Sequence, residues 1–278
     1  MAVVGRLVTG SAVGLLSTSV PVYVAELSPK ALRGRLVTAN QLFICIGVLL
    51  GFVVDDIFKC PGNGDYCQRA RTSAWRWMLA SATPVAAVLI VAFAFALPES
   101  PRFLVRRKRL TAARRVLACV RSSPAHIQQE LDEITAACNQ PTATWRSLLR
   151  PNVLYGVYIA TMLSAIQQFT GVNAVNFYAQ TIIISAGFDQ DHAFSFSIYI
   201  GVIKVVFVGV GMLLIDSAGR RILMIVGIAG MTLSTALLAA VFQMKEEHGS
   251  VSNGLGWLAL IALFFYMGFF EISLGAVL

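Results

Sequence analysis

The stretch Gln167-Gln168-Phe-Thr-Gly171-Val-Asn173-Ala-Val-Asn-Phe-Tyr178 sets amide side chains inside a long run that carries no charge. An amide both donates and accepts hydrogen bonds, as a hydroxyl does, so these groups suit an uncharged polyol better than arginines would. On an ideal helix Gln167 and Tyr178 share a face, whereas Gln168 and Asn173 fall about 140° apart. Gly171 lies between them and can loosen the helix so that they converge. Hydrogen bonds that merely join neighbouring helices are the competing reading of the same residues. Lys204 stands midway along Ala193 to Ile215, where a charge costs about 2.5 to 3.5 kcal/mol. It therefore needs a partner or a wet cavity. Glu26 and Glu271 are expected nearer the cytoplasmic side, so no carboxylate of these spans matches it by depth. Lys204 is expected to face the cavity or to pair elsewhere.

A second set of residues could form ion pairs. Glu26 and Arg33 flank a helix end, Glu99 and Arg102 open a polar segment at Pro98-Glu-Ser-Pro-Arg102, and Asp216 sits with Arg220 and Arg221 in a tight loop. Carboxylates and guanidiniums within reach of one another form bidentate pairs, which can hold one face of a protein closed and break when it opens. Basic residues beside helix ends also arise from topology alone. Enzyme chemistry is not expected: His126, His192 and His248 lie in different loops, and no nucleophile has a nearby base or metal-ligand spacing. No metal or cofactor is expected either. Cys60 and Cys67 bracket a short loop and form either a disulfide or two free thiols, a choice that needs geometry.

The elements that must position these groups follow from composition. Of 278 residues, 57% are hydrophobic and 13% charged, and mean hydropathy is +0.72; a soluble domain is nearer 25% charged. A bundle of membrane helices is expected, all-α and polytopic. Seven apolar stretches are long enough to cross a bilayer: Leu7 to Ala25, Leu36 to Val54, Trp77 to Leu97, Val153 to Phe188, Ala193 to Ile215, Ile222 to Met244 and Val251 to Phe270. The fourth is longer than a crossing needs. The connections Lys30 to Arg35, Arg102 to Arg150 and Asp216 to Arg221 hold 15 of the Lys and Arg residues, and the alternate connections only five. The first set is therefore cytoplasmic. The net charge of +8 is thus a membrane-side feature and no nucleic-acid footprint. The basic segment has amphipathic stretches at Ala112 to Val120 and Ile127 to Ala137, which read as a helical linker near anionic headgroups.

The motifs Gly5-Arg6, Pro21 to Pro29 with Arg33-Gly34, Pro98 to Arg102, Gln167 to Tyr178 and Asp216 to Arg221 together resemble the sugar porter branch of the major facilitator superfamily. The resemblance runs from about the fourth to the tenth helix of a twelve-helix family. It implies three spans of an N-terminal half over residues 1–98, a cytoplasmic helical linker over 99–150, and the first four spans of a C-terminal half over 151–278. It also implies transport of a monosaccharide, a hexose such as glucose, by alternating access, with uniport and proton symport both open. By resemblance Gln41, Gln167, Gln168, Asn173, Tyr178 and Lys204 surround the sugar, although the family usually has an asparagine where Lys204 stands. Arg6, Glu26, Arg33, Glu99, Arg102, Asp216, Arg220, Arg221 and Glu271 are the implied gating residues. The prolines that break the family's tenth helix are absent from Phe270 to Ala276. The implied partners are a sugar, protons under symport and the lipid bilayer, in the plasma membrane. Another small polar solute, an anion favoured by Lys204, a non-transporting sensor and an inactive fragment are the alternatives.

Overall fold

The computed structural model describes residues 2–29, 32–58, 76–95, 97–121, 123–139, 150–248 and 253–276. Cys60 and Cys67 lie outside the described residues. Eleven α-helices are seen among them: α1 (Ala2–Leu27), α2 (Arg33–Phe58), α3 (Ala82–Phe95), α4 (Pro101–Arg106), α5 (Leu110–Val120), α6 (Pro124–Cys138), α7 (Pro151–Phe169), α8 (Val172–Ser185), α9 (Gln190–Ala218), α10 (Arg220–His248) and α11 (Asn253–Phe270). A π-helical turn, Glu271–Gly275, continues α11. The all-α expectation is met. Six helices are long and apolar enough to cross a membrane: Val3–Leu27, Arg33–Phe58, Arg76–Phe95, His192–Ile215, Arg220–Glu246 and Gly254–Gly275. Large apolar side chains exposed along them, such as Leu15, Phe43 and Ile90, are the surface that lipid covers.

The fourth expected span is a broken helix, with the break at the glycine that was expected to loosen it. Residues 151–185 form two helices, because Gly171 takes a left-handed φ of 77°, a conformation that costs residues with a Cβ but not glycine. Gly171 is the N-cap of α8. The Tyr266 hydroxyl donates to the carbonyl of Thr170 at 2.7 Å, which supplies a partner for a backbone group freed by the break.

The chain divides into two compact units, Met1–Asn40 with Ile90–Val157, and Gln41–Leu89 with Tyr158–Leu278. In the first unit, α4 starts at Ser100, whose hydroxyl accepts from the Phe103 amide, with Pro101 in the first turn. Both residues favour a helix start there. In α5 the apolar positions Ala113, Val116 and Leu117 fall on one face, and in α6 Ile127, Leu131 and Ile134 do. These faces bury against one another and against Leu104 and Val105, with Leu27 packed alongside. The amphipathic stretches therefore make a small core of their own.

In the second unit the core runs through Ile183, Ile200, Leu263, Met267 and Leu274. Its close packing uses small residues, as membrane helices must where backbones approach: a Cβ on Gly230 of α10 would meet the Phe269 ring at 2.5 Å. Within this unit the final span is the central element, since 67% of its apolar window is buried.

Candidate functional site

Two polar clusters are built, one in each unit. In the second unit Glu271 is 1% exposed and Lys204 5%, and Lys204 Nζ lies 3.1 Å from Glu271 Oε1. The expectation that no carboxylate matches Lys204 is overturned. Glu271 comes within reach of the lysine because the final span continues past Phe270 to Gly275, while Lys204 projects from the middle of α9. The lysine also donates to Asn176 Oδ1 at 3.2 Å. On the other side of the carboxylate, Glu271 Oε2 accepts from Gln41 Nε2 at 3.2 Å and from the Cys45 thiol at 3.4 Å. The ammonium is not aligned as a hydrogen-bond donor to Oε1, so attraction between charges holds that contact. A buried charge is tolerable only when paired and hydrogen-bonded, and here each member has a charged partner and at least one neutral polar partner.

The amides of the Gln167 to Tyr178 motif divide in two around the break. Asn173 Nδ2 donates to Gln168 Oε1 at 2.9 Å, so the two residues that ideal helix geometry separates are brought together by Gly171. Gln167 instead reaches the Leu274 carbonyl in the π turn, 3.4 Å away. Tyr178 is 62% exposed, and no contact joins it to the amides among the described residues; the break dissolves the face it was expected to share with Gln167. Gln168 and Asn173 are exposed and Gln41 and Gln167 half-buried, so the amides keep hydrogen-bonding capacity open to a solute. The site therefore presents neutral donors and acceptors beside an ion pair of zero net charge. Sequence reasoning missed Asn176 and Cys45. Both had a signal, since Asn176 is three residues past Asn173 and Cys45 four residues past Gln41, each on the same helical face as its predecessor.

In the first unit Glu26, Arg33 and Arg102 line one cavity of about 390 Å³ together with Glu130 and Glu133. The carboxylate of Glu26 is held by the Ser100 hydroxyl, and Tyr23, three residues earlier, donates to the Pro98 carbonyl at 2.6 Å. Arg33 Nε is buried without a hydrogen-bond partner. The end of α1 is fixed by Arg121: its Nη1 and Nη2 donate to the carbonyls of Leu27 and Ser28 at 3.1 Å each, and its other donors grip Glu130 in a two-pronged pair of 2.8 and 2.9 Å. A guanidinium is suited to this task because the last carbonyls of a helix lack partners and its fork fits a carboxylate. Ser100, Arg121 and Glu130 were not foreseen. Ser100 could have been, as a serine before Pro101. Arg121 could not, since its carbonyl partners are more than 90 residues away in sequence. Of the remaining expected gate residues, Arg6, Glu99, Arg220 and Arg221 are exposed, and the side chain of Asp216 lies outside the described residues.

Apolar spans, a broken helix and polar groups buried at membrane depth define an integral membrane protein with the architecture of a solute transporter. The chain matches the family model for "Sugar (and other) transporter" over residues 1–278 and belongs to that family, which is made up of transporters. It is 34% identical over 282 residues to the probable metabolite transport protein CsbC of Bacillus subtilis, covering 100% of this chain and 57% of that protein. It is 32% identical to the glucose transporter GlcP of Staphylococcus epidermidis, covering 99% and 58%. The structure of the major facilitator proton:xylose symporter XylE bound to 6-bromo-6-deoxy-D-glucose matches with a TM-score of 0.81 at 32% identity, over 99% of this chain and 55% of that one. The chain thus spans little more than half the length of the curated relatives it matches.

Proposed function

We propose that the protein carries a monosaccharide across a membrane by alternating access, and that this substrate is an uncharged sugar, a hexose such as glucose. The observation that carries this reading is the pairing of Lys204 with Glu271 beside amides that keep open capacity. A lone lysine would attract an anion, but a neutralised one adds no net charge. Hydroxyls, which donate and accept, fit Gln41, Gln167, Gln168 and Asn173. Relatives named for glucose, arabinose and xylose transport support the same substrate class. Two of those names specify proton symport, which makes protons the candidate coupling ion. Lys204 then acts through Glu271 beside the sugar, and Tyr178 stands at the margin of the site.

The gating role belongs to the first-unit cluster of Glu26, Arg33 and Arg102, with Glu99 beside it, and to the loop of Asp216, Arg220 and Arg221. Arg6, on the exposed face of α1, awaits an acidic partner. Residues 1–98 and 151–278 act as parts of two halves joined by the linker, in the plasma membrane. Uptake of labelled hexose by the full-length protein in proteoliposomes, at two external pH values, tests this. Saturable uptake inhibited by unlabelled hexose and not by a sugar acid is expected, with a pH dependence if protons are coupled. Lack of saturable hexose uptake would sink the reading.

A further inference from the structure

Glu271 does more than neutralise Lys204. Its second oxygen is occupied by Gln41 and Cys45 of α2, and α2 precedes the linker in the chain whereas α9 and the π turn follow it. The same two sets of helices also meet by backbone: a Cβ on Gly201 of α9 would lie 3.0 Å from the Cα of Leu49 in α2. The approach of α2 is therefore a formed surface, with one polar tie at its centre. Both of these hydrogen bonds end on the same carboxylate oxygen, Oε2. The other oxygen is held by Lys204, and the lysine is held in turn by Asn176.

We propose that Lys204 is a positioning residue for a releasable tie: it aims the Glu271 carboxylate at Gln41 and Cys45, and a sugar hydroxyl opens the tie by inserting between Gln41 and Glu271. A hydroxyl can accept from the Gln41 amide and donate to the carboxylate, so both polar groups stay satisfied. A carboxylate group has no proton to donate and would meet Glu271 with like charge wherever it lay in the site, and an ammonium group cannot accept from Gln41. The tie thus selects a neutral polyhydroxyl substrate and couples its arrival to separation of α2 from α9. This inference rests on the proposed transport function and on the division of the chain into two moving halves.

Cys45 reports on the tie directly, because its thiol is 1% exposed and bonded to the same oxygen. In the full-length protein with its other cysteines replaced by serine, alkylation of Cys45 by N-ethylmaleimide should be slow. Saturating hexose should change its rate, while a sugar acid should not. Lys204→Met should raise the alkylation rate at least about tenfold, as expected when a buried charged contact that favours one state is lost. If that variant does not fold, Lys204→Met combined with Glu271→Gln removes both charges together and carries the test. It should melt near the parent temperature, keep fast alkylation, and shift KM and the ranking of neutral sugars over sugar acids. A folded variant whose Cys45 reacts within about twofold of the parent rate, with ranking unchanged, would overturn the proposal. The alkylation comparison needs no sugar, so it stands apart from failure of hexose uptake, which bears on the transport reading.

Discussion

Among the described residues each unit holds an ion pair that ties helices together, and the two are built differently. Arg121 and Glu130 meet through two parallel bonds of 2.8 and 2.9 Å, and the remaining guanidinium donors bind backbone carbonyls. Lys204 and Glu271 meet at a single 3.1 Å contact, and neutral side chains from two other helices take up the rest of their capacity. The first pair is 9% and 17% exposed in its side chains, the second 6% and 1%. A fork gripping a carboxylate and a helix end is a rigid fastener. A point charge holding a carboxylate toward exchangeable neutral partners is a contact that another hydroxyl can replace. The position of each charge relative to water, and the shape of its cation, separate a brace from a tie.

The strongest way to break this comparison is to remove one member of the deeper pair. Lys204→Met leaves Glu271 buried and unpaired, and should destabilise the full-length protein in detergent by about 3 to 5 kcal/mol, with the charge-free double variant recovering most of it. A melting temperature unchanged in the single variant would mean that water already reaches Glu271. Next in size is the linker core: Leu117→Ala should cost about 2 to 5 kcal/mol, read as faster hydrogen exchange confined to residues 101–138. Spread of that loss into α11 would mean that the two regions do not behave as separate cores. Arg121→Met should cost about 1.5 to 3 kcal/mol for its charged hydrogen bonds, less than the lysine, because Glu130 is near enough to the surface to hydrate. An equal or larger loss would erase the distinction drawn from exposure. The smallest effect is expected at Gly171→Ala, roughly 1 to 2 kcal/mol from the left-handed backbone alone. It should be accompanied by weaker sugar binding in titration as Asn173 turns from Gln168, and binding equal to the parent would show that the break is not needed to gather the amides.

Much of the fold was legible in the chain because membrane spans are long, apolar and uncharged, a signal that survives averaging over twenty residues. The six long apolar helices follow from it. In the fourth stretch Gly171 marked where the helix could loosen, but hydropathy does not register the φ of 77° that divides it into two helices. Gln41, Gln167, Gln168 and Asn173 stood out as polar groups in apolar surroundings. What each of them bonds to did not, because Gln41 and Glu271 are 230 residues apart. The depth assigned to Glu271 failed for a related reason. The expected span ended at Phe270, whereas the helical span runs on to Gly275 and so includes Glu271.

The residue sequence was enough to establish an all-helical membrane protein and the presence of amides suited to hydroxyls. Those properties depend on composition and local periodicity, which each segment carries within itself. Folding supplied the partners: Glu271 for Lys204, Ser100 for Glu26, Arg121 for the end of α1, Asn173 for Gln168. A hydrogen bond or ion pair acts over about 3 Å, so its existence depends on how helices pack and where they break, and no single segment contains that information. The lysine that read as an invitation to an anion became, once paired with Glu271 at 3.1 Å, part of a neutral site.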